Sequence, residues 1–457
     1  MMELKGKSVL VLGLGETGLS LVRWLSGQGA RLRVADTRSQ PPGLDQVLRL
    51  VPPASVQCGA FSDALLQGIE LIAISPGVPL YEPLVQRALK QGIAVMGDIE
   101  LFAQALPENR RPKIIAITGA NGKTTVTSMV GAMCRAAGLD TEVAGNISPA
   151  VLDVWMRRAG KQPQVWVLEL SSFQLETTQS LHPDAATVLN ITEDHLDRYP
   201  DMDAYAAAKE RIFTGGGVRV LNRDDARSNA MARAGVACVK FGTQPPQRNG
   251  DWSIQRDGAE TWLVQGQKRV LNAAELQVAG LHNMANALAA LALCRAIDLP
   301  LEPLCAALRS FKGLPHRVEK VAEIGGVEYY DDSKGTNVGA TEAALKGMGK
   351  PAVVILGGEG KGQDFSPLRQ AVADHARAVV LIGRDTGLIE AALQGCGKPL
   401  VRARDMADAV RQCAGLAQRG DAVLLSPACA SFDMFRNYEH RAEVFIAAVH
   451  GLQEATA

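Results

Sequence analysis

Short apolar runs rich in β-branched residues recur along the chain. Ser8-Val9-Leu10-Val11-Leu12, Leu32-Arg33-Val34-Ala35, Leu71-Ile72-Ala73-Ile74, Ile114-Ile115-Ala116-Ile117 and Val165-Trp166-Val167-Leu168 read as strands. So do the runs from Ala186 to Ile191, Val327 to Tyr330, Ala352 to Leu356, Ala378 to Ile382 and Ala422 to Leu425. Between them, apolar positions return at helical spacing. Leu21, Val22, Trp24 and Leu25 mark one such face, Val126, Met129, Val130 and Met133 another, and a strongly apolar helix runs from Ala287 to Ile297. Strands alternating with helices predict an α/β protein of parallel sheets. Runs without a polar alternation predict strands buried on both faces.

Two breaks punctuate the pattern: the polar linker Pro107-Glu108-Asn109-Arg110-Arg111-Pro112 and the turn Gly313-Leu314-Pro315-His316-Arg317. They divide the chain into regions 1–101, 102–312 and 313–457. A chain of 457 residues exceeds a single core, so several domains are expected. The first and last regions read as Rossmann-like, doubly wound units and the middle one as a P-loop ATPase-like unit.

Polar, glycine-containing loops follow the strands, at the edge where open α/β sheets bind ligands. After Ile117 come Thr118-Gly119-Ala120-Asn121-Gly122-Lys123-Thr124-Thr125 and a helix. Glycines let backbone N–H groups face phosphate oxygens, a lysine reaches the β- and γ-phosphates, and a threonine offers its hydroxyl to Mg²⁺. The loop is shorter than the general pattern, with Ile117 where a glycine is usual. Gly13-Leu14-Gly15-Glu16-Thr17-Gly18, with Asp36 after the next strand, is a dinucleotide-type fingerprint. It suggests NAD in isolation, but it serves the diphosphate of other nucleotides too. Arg38 beside it suits a phosphate or a uracil-bearing ligand, and Ser75-Pro76-Gly77 is either a ligand loop or a simple turn.

Glu169 ends a buried strand downstream of the phosphate loop. It reads as a Mg²⁺ ligand, direct or through water, or as the N-capping acid of the following helix. His195, in Glu193-Asp194-His195-Leu196-Asp197, reads as a ligand or as structural. Asn283 and Asn286 share a helix face, suited to an adenine edge or to capping. Lys209 alone reads as a solvated helix charge. In the last region Lys334, Lys361 and Ser431 follow strands and suit an anion. Gly357-Gly358-Glu359-Gly360-Lys361 lacks the Ser/Thr of a second phosphate loop and reads as a carboxylate or phosphate clamp. Cys429 reads as a small buried thiol, not a nucleophile.

Composition narrows this little. Lys+Arg and Asp+Glu both number 48, so no general attraction to nucleic acid or acidic membranes is expected and any anion site is local. No apolar run is long enough for a membrane span. The N-terminal residues lack the features of a secretory signal. Eight cysteines without a CxxC pair suit a reducing, cytoplasmic setting.

The ordered set resembles the Mur ligase family, in particular its D-glutamate-adding branch. It comprises Thr118 through Thr125, Glu169-Leu170-Ser171-Ser172-Phe173-Gln174, Asn190 through Asp197, His282-Asn283-Met284-Ala285-Asn286, Pro315-His316-Arg317, Asp332-Ser333-Lys334-Gly335-Thr336-Asn337 and Ser426 through Asp433. The short phosphate loop is that family's normal form. The resemblance implies an ATP- and Mg²⁺-dependent amide ligase of peptidoglycan synthesis, tied to cell shape and division, monomeric and cytoplasmic. Its partners are small molecules: UDP-N-acetylmuramoyl-L-alanine, D-glutamate and ATP. It implies a UDP-binding first domain (1–101), with Glu16, Thr17, Asp36, Thr37, Arg38, Ser75 and Gly77 on uridine and diphosphate. Asn146, Ser171, Gln174 and His195 fall along the sugar-peptide part.

For the central domain (102–312) the resemblance implies ATP on Gly119, Ala120, Asn121, Gly122, Lys123, Thr124 and Thr125, and also on Asn283, Asn286, His316, Arg317 and Asp332. It implies metal on Thr124, Glu169, His195 and a carbamylated Lys209, with Lys123, Glu169, His195 and Lys209 catalytic. The last domain (313–457) is to bind D-glutamate through Lys334, Thr336, Lys361, Ser431, Phe432 and Tyr438. A hinge is expected near Lys312 and Gly313. Two departures stand out: Glu16 where a neutral residue is familiar, and Tyr438 where phenylalanine is expected. The competing readings are a sister ligase adding another amino acid or extending folate with glutamate, an NAD-linked oxidoreductase on Gly13–Gly18, and a non-catalytic nucleotide-binding module.

Overall fold

The computed structural model describes residues 3–456 except 108, 110, 197 and 279, with the backbone alone for 454–456. Glu108 and Arg110 of the linker and Asp197 of the acidic cluster thus fall outside the described residues. The chain forms two compact units. The first comprises 1–189, 203–240 and 289–304, and the second 190–202, 241–288 and 305–457.

In the first unit, five parallel strands follow the order Val56–Cys58, Arg31–Asp36, Ser8–Leu12, Leu71–Ile74, Ala94–Met96. The order reverses between Ser8–Leu12 and Leu71–Ile74, so the loops at Gly13 and Ser75 open side by side at the switch point, where such sheets take ligands. Helix Glu16–Gly27 packs so tightly there that a Cβ on Gly18 would lie 1.8 Å from Gly13 O. Only glycine fits. A second group of parallel strands runs in the order Val218–Asn222, Ala185–Val188, Lys113–Thr118, Val165–Glu169, Thr141–Gly145. Helix Asp98–Ala105 docks between the groups. Phe102 meets the edges of Trp155 and Trp166, and Glu100 accepts from the backbone N–H of Gln179 and Ser180.

In the second unit a six-stranded sheet has the order Glu319–Ile324, Val327–Asp331, Ala422–Leu425, Ala352–Gly357, Ala376–Ile382, Leu400–Arg402. All neighbours are parallel except the first pair, whose outer strand is antiparallel. Alternate residues of Ala352–Gly357 feed two cores. Val354 and Leu356 pack with Leu345 and Leu368, and Val353 and Ile355 with Val410 and Phe445. This is why its apolar run has no polar alternation. An antiparallel meander, Trp252–Asp257, Glu260–Gln265 and Lys268–Asn272, completes the unit. No described helix is long and apolar enough to cross a membrane.

Candidate functional site

The phosphate-type loop leaves strand Lys113–Thr118 and enters helix Lys123–Ala136 through Gly122, whose φ of +83° places it in the left-handed region. The helix start thus turns its first N–H groups toward the loop, a ready anion site. Lys123 Nζ arches back to donate to Gly119 O and Ala120 O, both at 2.9 Å. Lys209, from helix Met202–Glu210, comes to the same loop. It is only 2% exposed, and its Nζ donates to Gly119 O at 3.0 Å and Thr118 Oγ1 at 3.4 Å, 4.6 Å from the centre of the Tyr205 ring. A solvated helix charge it is not.

Glu169 lies beside the loop by register, paired with Ile117 across neighbouring strands. Its carboxylate is buried. Oε1 accepts from Asn146 Nδ2 at 2.7 Å, and Oε2 makes no hydrogen bond with any described residue. The cap of helix Ser172–Glu176 is Ser171, in a reciprocal box with Gln174, so Glu169 is not its capping acid. Gln174 also donates to Asp98 Oδ2 at 3.2 Å. Burial pushes the Asp98 carboxyl up to about 6 against that hydrogen bond.

At the N-terminal loop, Asp36 Oδ2 accepts from Leu14 N at 2.7 Å, and Arg38 grips both carboxylate oxygens, with Nε at 2.9 Å and Nη2 at 2.7 Å. Burial opposes ionisation of Asp36, but the Arg38 and Leu14 donors hold it below the usual range. Glu16 Oε1 accepts from Ser148 Oγ at 2.6 Å. Thr37 and Gly77 are not buried, and Ser75 is.

The second unit carries the other candidates. His195 takes a left-handed backbone, its N–H bonded to Asp194 Oδ1 at 3.1 Å. Asn286 Nδ2 donates to Asn283 Oδ1 at 3.3 Å, so the two amides do share a face. Asp332 is buried and accepts from Ser426 Oγ at 2.7 Å. Burial lifts it to about 7, with the Arg317 charge pulling the other way. Lys334 Nζ lies 3.7 Å from the centre of the Tyr438 ring, and the His316 ring meets that ring edge-on at 6.2 Å. Thr336 is half-buried, Ser431 buried, Lys361 exposed and Phe432 70% exposed.

One residue here escaped the sequence reading. Arg441 is 1% exposed and donates to Ser333 Oγ, Ser333 O and Cys429 O at 2.8–3.0 Å. It ties the loop bearing Lys334 to the loop bearing Ser431. Its position in a mixed helix gave no signal.

Comparison with known proteins follows the same order along the chain. The family model for the Mur ligase MurD-like N-terminal domain matches residues 7–97, the Mur ligase middle domain 117–294, and the Mur ligase glutamate ligase domain 316–429. The UDP-N-acetylmuramoylalanine–D-glutamate ligase of Nitrosospira multiformis is 60% identical over 462 aligned positions, covering 100% of this chain and 98% of that protein. The protein of the same name from Nitrosomonas europaea is 59% identical, covering 98% and 97%. Among solved structures, the UDP-N-acetylmuramate–alanine ligase of Thermotoga maritima superposes with a TM-score of 0.59 at 18% identity, covering 97% of this chain and 99% of that one. A pseudomurein peptide ligase from Methanothermus fervidus gives 0.58 at 17%, covering 92% and 96%. These two share the fold. With three consecutive domain matches and full-length relatives at such identity, the chain belongs to the Mur ligase family.

Proposed function

We propose that this protein is the ATP-dependent ligase that joins D-glutamate to UDP-N-acetylmuramoyl-L-alanine in peptidoglycan precursor synthesis. The observation that carries the reading is 60% identity, end to end, with a ligase named for that reaction. The geometry of the phosphate loop supports it. The division into 1–101, 102–312 and 313–457 belongs to the proposal, as do a bacterial cytoplasmic location and a monomer.

A carboxylate is a poor electrophile. One oxygen of the substrate's L-alanine carboxylate attacks the γ-phosphorus of ATP, and ADP leaves. The amine of D-glutamate then attacks the acyl phosphate carbon, loses a proton, and phosphate departs as the amide forms. Lys123 and the N–H groups of 119–125 hold the transferring phosphoryl. Asn283, Asn286, His316, Arg317 and Asp332 serve the rest of ATP. Glu16, Thr17, Asp36, Thr37, Arg38, Ser75 and Gly77 hold uridine diphosphate, and Asn146, Ser171, Gln174 and His195 the sugar-peptide. Lys334, Thr336, Lys361, Ser431, Phe432 and Tyr438 orient D-glutamate through its carboxylates and chain.

The buried, unbonded Oε2 of Glu169 fits a hard cation, since an oxygen anion is left there without a protein donor. By this reading Thr124, Glu169, His195 and Lys209, the last as a carbamate, are the Mg²⁺ ligands. Mg²⁺ held by them would neutralise the charge developing on the phosphoryl oxygens. The testing assay is phosphate release from ATP with UDP-N-acetylmuramoyl-L-alanine across a panel of D- and L-amino acids. Release dependent on D-glutamate is expected. Release with another amino acid alone, or turnover of NADH, refutes the proposal.

A further inference from the structure

The His316–Asp331 pair has a hydrogen-bond polarity fixed by a third group. Asp331 is fully buried at the end of strand Val327–Asp331. Its Oδ2 lies 2.6 Å from His316 Nδ1, and its Oδ1 accepts the Ser333 N–H at 2.9 Å. The His316 backbone is pinned as well. Its N–H donates to Glu319 Oε2 at 2.9 Å and its carbonyl accepts from Lys334 N at 3.2 Å. The opposite ring nitrogen, Nε2, bonds to no described residue, and the side chain keeps 21% of its surface exposed.

A carboxylate only accepts hydrogen bonds, so the proton between the pair sits on Nδ1 and a neutral ring presents Nε2 as an acceptor. Phosphate oxygens are acceptors too and have nothing to offer it. The donors on ATP are the adenine amino group and the ribose hydroxyls; the paired amides of Asn283 and Asn286 suit the adenine edge, which leaves a ribose hydroxyl for Nε2. We propose that Asp331 is a positioning residue that fixes His316 as the Nδ1–H tautomer, so that Nε2 accepts a hydrogen bond from a ribose hydroxyl of ATP. The inference rests on the reading that His316 serves ATP. The alternative use of these groups is chelation, because ligand atoms of His316, Glu319 and Asp331 lie within 4.8 Å of one another. The 2.6 Å contact is a direct hydrogen bond, however, and Glu319 Oε2 is already engaged by the His316 N–H.

Asp331→Asn is the informative variant because it keeps the shape and reverses the polarity. The amide oxygen stays on the Ser333 N–H, which turns the NH₂ group toward Nδ1. Nδ1 must then accept, and the proton moves to Nε2. Long-range ¹H–¹⁵N NMR on histidine-labelled protein, with His316→Gln for assignment, is expected to show Nδ1–H in the wild type and Nε2–H in the variant. The variant's KM for ATP is expected to rise about tenfold, the equivalent of losing about 1.4 kcal/mol of binding, with kcat within about twofold. Wild-type enzyme should discriminate against either 2′-deoxy- or 3′-deoxy-ATP, and the variant should lose that discrimination. A wild-type ring carrying its proton on Nε2, or protons on both nitrogens, overturns the proposal. So does a variant with unchanged KM and unchanged discrimination. The wild-type NMR and analogue measurements stand even if the variant fails to fold. A wild type with no D-glutamate-dependent turnover would instead defeat the functional reading and leave the tautomer measurement intact.

Discussion

Asp98 offers a measurement in which sequence, burial and pH combine into one number. It opens helix Asp98–Ala105, is 0% exposed, and has Gln174 Nε2 at 3.2 and 3.4 Å from its two oxygens. The Gln174 amide and the backbone N–H groups of Ile99 and Asp98 do not replace the water lost on burial, so the carboxyl is raised from 3.8 to about 6. The sign follows. In the unfolded chain the group releases its proton as pH rises past 3.8, whereas the folded protein keeps it until about 6. The protonated carboxyl therefore contributes stability that is complete below the unfolded value and is lost as pH climbs through the folded one. A gap of about two pH units, at about 1.4 kcal/mol each, amounts to about 3 kcal/mol.

Asp98→Asn removes the ionisation. It also removes one acceptor facing Gln174, a penalty that does not change with pH. The two effects separate when thermal unfolding of both proteins is followed at a series of pH values. The variant's melting temperature minus the wild type's is expected to rise between pH 4 and 6.5 by several degrees, at roughly 2–4 °C per kcal/mol for a domain of ordinary size. It should stay flat above pH 7. A difference that is constant with pH, or that shrinks as pH rises, would refute the assignment of a buried, raised carboxyl.

Three further outcomes are expected. Lys123→Ala should lower kcat for phosphate release by a factor on the order of 10³, the scale of losing one positioned transition-state donor; a variant with near-normal kcat would remove the loop lysine from the mechanism. Lys209→Ala should abolish turnover and regain part of it with added short carboxylates, since a carboxylate replaces the oxygens of a carbamate but not the charge of an ammonium; no recovery at any concentration speaks against the modification. Arg441→Met should raise KM for D-glutamate about tenfold or more while leaving KM for the UDP substrate near normal, because the Ser333 and Cys429 carbonyls lose a charged donor worth about 1.5–3 kcal/mol each; steady-state kinetics with each substrate varied in turn decides it.

The strands were legible because burial on both faces leaves an unbroken apolar run, and where their ends moved it was by one to three residues; the run expected from Ala186 to Ile191 is a strand only over Ala185–Val188. Strand Lys113–Thr118 starts on an exposed lysine, and Ala376–Ile382 starts before Arg377, whose guanidinium pairs with Asp421. The meander from Trp252 to Asn272 escaped notice because its strands are half exposed, with Gln255, Arg256 and Asp257 in succession. Strand Glu319–Ile324 escaped for the same reason. At the candidate site, the loops were readable from glycine and charge, but long-range convergence was not. Lys209 meets the phosphate loop across 90 positions of sequence. No local spacing distinguishes it from a surface lysine, so the resemblance alone singled it out. Glu169 had two readings until the hydroxyl of Ser171 took the capping role.

Tyr438 shows how a departure from a family pattern is judged by the atoms in use. Its backbone carbonyl accepts from Ser333 Oγ at 2.8 Å, and two of its contacts belong to the ring. Lys334 sits over its face, and His316 approaches it edge-on. A phenylalanine would make both. The added hydroxyl must do no harm, and burial, followed by a hydrogen bond with Glu439, pushes its pKa up to about 12. It stays neutral across the working range and adds no charge beside Lys334. One aromatic ring therefore braces a lysine assigned to the amino acid and a histidine assigned to the nucleotide. The backbone link from Lys334 N to His316 O repeats that coupling at 3.2 Å. A substitution that removes the ring is therefore expected to disturb both groups together, whereas one that removes only the oxygen leaves their packing in place.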